Sequence, residues 1–156
     1  MPRIPARFAR LMAIALIAAC GFALAGGPAL ADNDGAFKYR QSVMKALAGH
    51  MGAAVGIIKG QVDLKGQLAA HADAIAGIGK MAKDIFPKGS NVADSAALPA
   101  IWEKPDEFAK VVAAFEGASA KFATVASGGD MQAAAAAFGD LGKTCGGCHQ
   151  DYRKKN

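Results

Sequence analysis

The chain has 156 residues, which fits one domain, and carries a net charge of +5 from 18 basic and 13 acidic side chains. Arg3, Arg7 and Arg10 lie within residues 1–31, a segment without acidic residues, so the other 125 residues hold 15 basic and 13 acidic side chains, or +2. A charge this small excludes the broad basic surface that a nucleic-acid-binding protein requires, so no nucleic-acid partner is predicted.

Residues 1–31 are typical of a bacterial secretory signal. The three arginines form its basic region, residues 11–25 are apolar, and Ala29-Leu30-Ala31 fits the A-x-A cleavage pattern. Because glycines and a proline at 26–28 interrupt the apolar stretch, it is too short to span a bilayer, and no membrane span is predicted. We therefore predict a signal peptide over 1–31, a mature domain over 32–156 and a periplasmic location.

A rival cleavage site precedes Cys20. The residues Ile17-Ala18-Ala19-Cys20 resemble a lipobox, which would leave Cys20 lipidated and the protein anchored to a membrane. The five residues after Cys20 stay apolar, whereas a lipoprotein tether is usually polar, so the lipid anchor is the minor alternative. Cleavage after Ala31 leaves only two cysteines in the mature chain, Cys145 and Cys148.

Apolar residues recur at helical spacing in four blocks of the mature chain. The first runs from about Ala36 to Lys59 and the second from about Val62 to Ile85. The third follows Pro105, which suits a first helical position, and the fourth follows Asp130, a natural N-cap. The apolar stripe of the first block comprises Arg40, Met44, Leu47, Met51, Val55 and Ile58.

Four helices in a domain of this size predict an all-α, antiparallel up-down four-helix bundle, an economical way to bury four apolar stripes. A long loop from about Phe86 to Lys104 separates the second and third helices. Within it, Ile101 and Trp102 are expected to pack over one end of the core. Glycines recur every four residues on the first helix and predict close packing, either on the second helix or in a homodimer: Gly52, Gly56 and Gly60.

The fourth block ends on Cys145-Gly146-Gly147-Cys148-His149, the attachment signature of c-type haem. Two thiols add across the vinyl groups of the porphyrin, and the adjacent imidazole ligates the iron. At i and i+3 the cysteines lie on nearly one helix face, and they continue the apolar stripe of that block. The sequence therefore predicts one covalently attached haem c that fills core volume, and no disulfide.

Cys-x-x-Cys also occurs in zinc sites and in thioredoxin-type redox sites. Zinc would need a fourth ligand, and the other histidines are His50 and His71, which we interpret as surface or boundary residues. A thioredoxin site needs a βαβ context, and no segment is predicted as a strand. Haem c is assembled outside the cytoplasm, in agreement with the predicted export, so a zinc module is the weaker alternative.

A four-helix bundle with this motif on its last helix resembles the class II cytochromes c, which comprise cytochrome c′ and its low-spin relatives. Residues 38–42, Lys-Tyr-Arg-Gln-Ser, resemble the opening of the family's first helix, and Ile101-Trp102 resembles its recurring pair after the long loop. Residues 138–142 and 145–153 resemble its closing helix. The resemblance implies that Cys145, Cys148 and His149 hold the haem, with His149 as the proximal ligand.

The resemblance also implies roles for three polar residues. Arg40 and Gln41 match family positions that contact the haem propionates, and Arg153 matches a basic residue beside the proximal histidine. Without the family, Arg40 would more often be a solvated or salt-bridged side chain. Arg153 would be a cation favoured by the dipole at a helix C-terminus.

Met44, four positions after Arg40, separates two branches of the family. High-spin members carry a non-ligating apolar residue there, which leaves five-coordinate iron open to nitric oxide or carbon monoxide. Low-spin relatives have Arg-x-x-x-Met, and their methionine is the sixth ligand. The resemblance thus implies His149 and Met44 as axial ligands, although a methionine on an apolar stripe is usually core filler. Met51 is also a methionine and could compete for the role of sixth ligand, but it lies two turns from Met44, about 10 Å along the helix.

These residues predict a periplasmic haem protein that is not an enzyme and carries single electrons between redox protein partners. The alternative is a high-spin protein of cytochrome c′ type that binds or scavenges a small gas, nitric oxide or carbon monoxide. A zinc module is the third interpretation. The homodimer is an expectation that follows only from the glycine pattern.

Overall fold

The computed structural model describes residues 33–155, and the predictions for residues 1–31, including Cys20, lie outside them. The described chain is helical apart from one isolated bridge and its loops. None of its helices is both long and apolar enough to cross a membrane. The helices are α1 (Asn33–Ile58), α2 (Leu68–Met81), α3 (Ala100–Glu103), α4 (Pro105–Ser127) and α5 (Met131–Tyr152).

The four long helices form the predicted bundle, with α2 packed on α1 and α4, and α4 packed on α5. Local chemistry sets the helix starts as expected. Pro105 occupies the first turn of α4, where its missing N–H costs no hydrogen bond. The Asp130 carboxylate caps α5 by accepting from the N–H groups of Gln132 and Ala133 at 2.9 and 3.0 Å. The all-α four-helix fold is therefore confirmed.

The second helix is shorter than its predicted span of 62–85. It begins at Leu68 after a single 3₁₀ turn and ends at Met81. Val62 and Leu64 lie before this turn and are exposed, at 45% and 47%, so neither belongs to the buried face of α2. Beyond Met81, the chain leaves the α-helix through i to i+3 turns, including the hydrogen bond from the Asp84 N–H to the Met81 carbonyl at 2.9 Å.

The glycine pattern on α1 has another explanation than close helix packing. Gly60 has φ +67° and ends the helix: its N–H bonds the Ile57 carbonyl at 3.0 Å, while the Gln61 N–H bonds the Gly56 carbonyl at 2.9 Å. These paired bonds are those of a Schellman cap, in which glycine avoids the strain of a positive φ. At Gly52, a Cβ would meet nothing within 4 Å, so the predicted close approach to α2 is wrong there.

The first helix buries a different row from the predicted stripe. Its buried residues are Phe37, Arg40, Val43, Leu47, Ala54 and Ile57. Met44, Met51 and Ile58 of the predicted stripe are only partly buried and pack along the edge of the principal core. The stripe prediction therefore located the right side of α1 but centred it about one residue away, which leaves both methionines at the boundary of the core.

A second apolar cluster closes the end of the bundle near the long loop. Its buried members are Ala82, Ala97, Ile101, Phe108, Val112 and Tyr152, and Trp102 packs against them. The Trp102 indole Nε1–H donates to the carbonyls of Phe86 and Pro87, both at 3.1 Å. The expectation that Ile101 and Trp102 cover one end of the core is therefore confirmed.

The close approach between helices occurs at Gly79 on α2, which faces Ser119 on α4. Both residues are buried, and Ser119 Oγ donates to the carbonyl of Glu116 at 2.8 Å. A Cβ at position 79 would overlap Ser119 Oγ and lie 3.4 Å from the Cα of Glu116. The absence of a side chain at Gly79 thus lets the α2 and α4 backbones approach closely.

Gly79→Ala is expected to destabilise the protein by about 1–3 kcal/mol, because the new methyl group overpacks this crossing. Gly79→Ala combined with Ser119→Ala removes the overlapping oxygen and should recover most of that loss. Alanine also has a helix propensity up to about 1 kcal/mol better than glycine. Denaturant unfolding of both variants tests the contact, and equal destabilisation in the single and double variants would contradict it.

Candidate functional site

The two cysteines of the motif lie on α5, where they follow the buried Leu141 at helical spacing. Both are partly buried free thiols. Cys148 packs against the second cluster and lines a groove of about 260 Å³ between α4 and α5. The remaining walls of the groove are Lys110, Val111, Ala114, Thr144, Gly147 and Asp151. Cys148 thus combines an apolar backing with an opening that leaves its side of α5 accessible.

Burial raises the pKa of both thiols. For Cys148 the neighbouring Cys145 and Asp151 raise the pKa further, because negative charges nearby disfavour a thiolate. Thiolates are the metal-binding form of cysteine, so this environment opposes a zinc site. Within residues 33–155, moreover, no three histidine, cysteine or acidic side chains cluster closely enough to hold a metal ion.

His149 follows Cys148 on α5, and its side chain is exposed at the surface of the helix. Although the side chain reaches the surface, the surrounding protein partly desolvates the imidazole and lowers the pKa of His149, and the positive charge of Arg153 lowers it further. Both effects favour the neutral imidazole, which is the form that ligates a metal. Arg153 lies where α5 ends, and its backbone forms a bridge with Ala97.

Arg40 is the most heavily bonded side chain near the site and is 5% exposed. Its Nη1 donates to the Ile85 carbonyl at 3.2 Å and to Ser90 Oγ at 2.7 Å. Its Nη2 donates to the Ser90 carbonyl at 2.8 Å and to Ser95 Oγ at 3.1 Å. The guanidinium also lies 5.0 Å from the ring centroid of Phe86. Arg40 therefore clamps the long loop onto α1.

The buried guanidinium has no carboxylate within salt-bridge distance among residues 33–155. Burial lowers the pKa of Arg40, although a guanidinium stays protonated. A desolvated cation whose partners are neutral oxygens suits an anionic group such as a propionate, toward which its Nε–H remains available. Gln41 is exposed and lies about 100° around α1, so the structure does not bring it into this clamp.

Ser90 and Ser95 were not predicted as site residues. Both are buried, and their hydroxyls complete the set of acceptors around Arg40. Ser95 Oγ also accepts from the Ala97 N–H at 3.1 Å, which orders the loop close to its bridge with Arg153. No helical or strand period marks serines in a loop, so the sequence alone does not identify these two as partners of Arg40.

Met44 lies on the α1 face that borders the principal core and is partly buried, like Met51 seven residues later. The helix that carries it, α1, touches α5 at only a few places, whereas α4 packs along both α2 and α5. Sparse contact between α1 and α5 suits a flat group enclosed between them. The side chains present therefore fit a haem: two thiols and an imidazole on α5, a thioether on α1 and a buried cation.

Known proteins resemble this chain over nearly all of its described part. The family model for cytochrome c′ matches residues 35–153. A cytochrome c-554 of Cereibacter sphaeroides is 37% identical over 146 residues, covering 86% of this chain and 94% of that protein. A cytochrome c-556 of Agrobacterium tumefaciens is 40% identical over 122 residues, and a cytochrome c′ of Pararhodospirillum photometricum is 35% identical over 125 residues. The match to the cytochrome c-556 covers 78% of this chain and 98% of that protein. The match to the cytochrome c′ covers 80% of this chain and 100% of that protein.

Solved structures give the same assignment. A carbon monoxide-bound variant of cytochrome c′ from Alcaligenes xylosoxidans superposes with a TM-score of 0.74 at 32% identity, covering 80% of this chain and 98% of that one. A nitric oxide complex of another variant of that protein superposes with a TM-score of 0.75, also at 32% identity, covering 81% and 98%. This chain therefore belongs to the cytochrome c′ family, the class II cytochromes c, and carries a covalently attached haem c.

Proposed function

We propose that this protein is a periplasmic carrier of single electrons, in which Cys145 and Cys148 would hold the haem and His149 and Met44 would ligate its iron. The bound haem supplies an iron that is oxidised or reduced by one electron. The observation that carries the proposal is Met44 itself, a partly buried thioether on α1, the helix whose sparse contact with α5 suits an enclosed haem. No bond-making or bond-breaking chemistry is assigned to the protein.

Each proposed ligand favours electron transfer for a separate reason. The thioether of Met44 is a soft ligand, which stabilises ferrous iron and raises the reduction potential relative to ligation by two nitrogens. The lowered pKa of His149 keeps its imidazole available as a neutral ligand. With both His149 and Met44 holding the iron, little in the protein part of the site would have to rearrange on oxidation or reduction.

The family relationship also favours a second candidate function. Solved neighbours in the family include a carbon monoxide complex and nitric oxide complexes of cytochrome c′. This chain would bind such gases if Met44 remained core filler and left the sixth position open. Both candidates use Cys145, Cys148 and His149 in the same way, so the difference between them lies in Met44 alone.

Met44→Ala is expected to convert a low-spin protein into a high-spin one that binds carbon monoxide readily. The variant should lose the methionine-to-iron charge-transfer band of the oxidised protein, because the thioether is gone. Met51→Ala is the matched control, since it removes the same side chain from the same helix and from a partly buried position. Absorption spectra of the oxidised and reduced proteins, with and without carbon monoxide, provide the measurement.

The outcomes separate the two functions. Low-spin bands in the wild type and in Met51→Ala, lost only in Met44→Ala, would support the electron carrier. A wild-type spectrum that is already high-spin and shifts on addition of carbon monoxide would contradict ligation by Met44. That result would assign the protein to the gas-binding branch.

We further propose that Arg40 contacts a haem propionate while clamping the long loop. Arg40→Gln removes the charge and most of the four hydrogen bonds, and it should lower the free energy of unfolding by at least about 2 kcal/mol. Loss of a buried cation should also lower the reduction potential, because the reduced haem carries one more negative charge. Denaturant unfolding and redox titration of the haem-loaded protein measure the two effects.

Arg153→Lys is the stability control for this experiment, because it keeps the charge of an exposed side chain and should change the unfolding free energy by less than about 0.5 kcal/mol. If Arg40→Gln loses stability but keeps the reduction potential of the wild type, loss of the loop clamp alone explains the result. The same result would contradict the propionate contact.

A further inference from the structure

Two histidines outside the haem site meet at the interface of α1 and α2. The Nδ1 atoms of His50 and His71 lie 3.0 Å apart, although the residues are separated by 21 positions in the chain. The ring centroids are 5.3 Å apart with the ring planes inclined at 56°. Both side chains are partly buried, which agrees with their interpretation as boundary residues. None of the roles proposed above uses this pair.

At this distance the two Nδ1 atoms cannot both carry a proton. A direct hydrogen bond requires one Nδ1 to carry the proton and the other to present its lone pair. If both present lone pairs, they repel one another unless a cation lies between them. As the rings lie here, the pair is a neutral hydrogen bond, and displacement of its shared proton by a positive ion would leave two nitrogen ligands for that ion.

The spacing suits a shared metal ion. Zn–N bonds are about 2.0–2.1 Å long, so two nitrogens on one tetrahedral ion lie roughly 3.3 Å apart. On a square-planar ion, such as Cu²⁺, two adjacent nitrogens at similar bond lengths lie roughly 2.9 Å apart. The observed Nδ1–Nδ1 separation of 3.0 Å falls between these values. The centroid separation of 5.3 Å shows that the two rings face each other end to end, so each imidazole has to turn to direct its Nδ1 at a shared ion.

We propose that His50 and His71 form a binding site for one divalent transition-metal ion of the kind that imidazole prefers, Zn²⁺ or Cu²⁺. The two Nδ1 atoms are the protein ligands, and water completes the coordination because no third histidine, cysteine or acidic side chain joins the pair within the described residues. The bound ion links α1 to α2.

Zn²⁺ titrated calorimetrically into the haem-loaded protein tests the site. We expect one ion per chain, and at least a tenfold weaker affinity in His50→Gln and in His71→Gln, because each loses half of the protein ligands. Asp73→Asn is the matched control, since Asp73 is exposed and lies two residues, about 200°, around α2 from His71. It should bind Zn²⁺ within twofold of the wild type.

Two further readouts tie binding to this pair. Zn²⁺ should raise the unfolding temperature of the wild type and not that of the double variant His50→Gln/His71→Gln, because the ion binds only the folded interface. With Cu²⁺ as the probe, electron paramagnetic resonance should show two imidazole nitrogens in the wild type and fewer in either single variant. An unchanged Soret band in each variant confirms that the fold and haem are intact.

Failure of the wild type to bind Zn²⁺ at millimolar concentration would overturn the proposal and leave the pair as a hydrogen bond. Equal binding by the wild type and the double His50→Gln/His71→Gln variant would also overturn it, since the ion would then lie elsewhere. Neither result depends on how the haem iron is ligated.

Discussion

The long loop that closes this bundle depends on one buried guanidinium. Between Met81 and Ala100 the chain has no regular helix, so its buried carbonyl and hydroxyl groups need partners from elsewhere. Arg40 supplies four hydrogen bonds to this loop from α1. With the loop held in place, Ile101 and Trp102 can cover the second cluster, against which Cys148 packs. The order of the haem-binding end thus rests on a polar interaction inside an otherwise apolar fold.

The proposed propionate contact would make the same guanidinium link stability to the cofactor. The charge of a cation buried among neutral oxygens is only partly compensated, since hydroxyls and carbonyls offer only partial negative charge. The four hydrogen bonds to the loop use the Nη groups, so the Nε–H would be the donor to an anion. On this proposal one residue would order the loop before haem attachment and stabilise a propionate afterwards, which would explain why a buried arginine occupies a helix stripe where an apolar residue would pack more simply.

The sequence predicted those features whose signal is local and failed where the signal lies between distant residues. Pro105 and Asp130 marked the starts of α4 and α5, because proline and an aspartate cap act within one turn. The contact of Gly79 with Ser119 and the pairing of His50 with His71 join different helices, and helical periodicity indicates a face without naming its partner. The Cys-x-x-Cys-His motif was informative because all its groups lie within five residues.

Met44 and Met51 show how little physical difference separates the two proposed branches of function. Both are partly buried on one face of α1, so neither burial nor polarity distinguishes them. Their separation of about 10 Å along the helix lets only one of them face a given iron, and the Arg-x-x-x-Met pattern makes Met44 the candidate. Since a half-buried methionine contributes less to stability than a fully buried one, its replacement costs the bundle little. On the proposed ligation, a single substitution at position 44 would change the chemistry of the iron while leaving the fold intact, which fits a family that includes proteins named c-554, c-556 and c′ on one architecture.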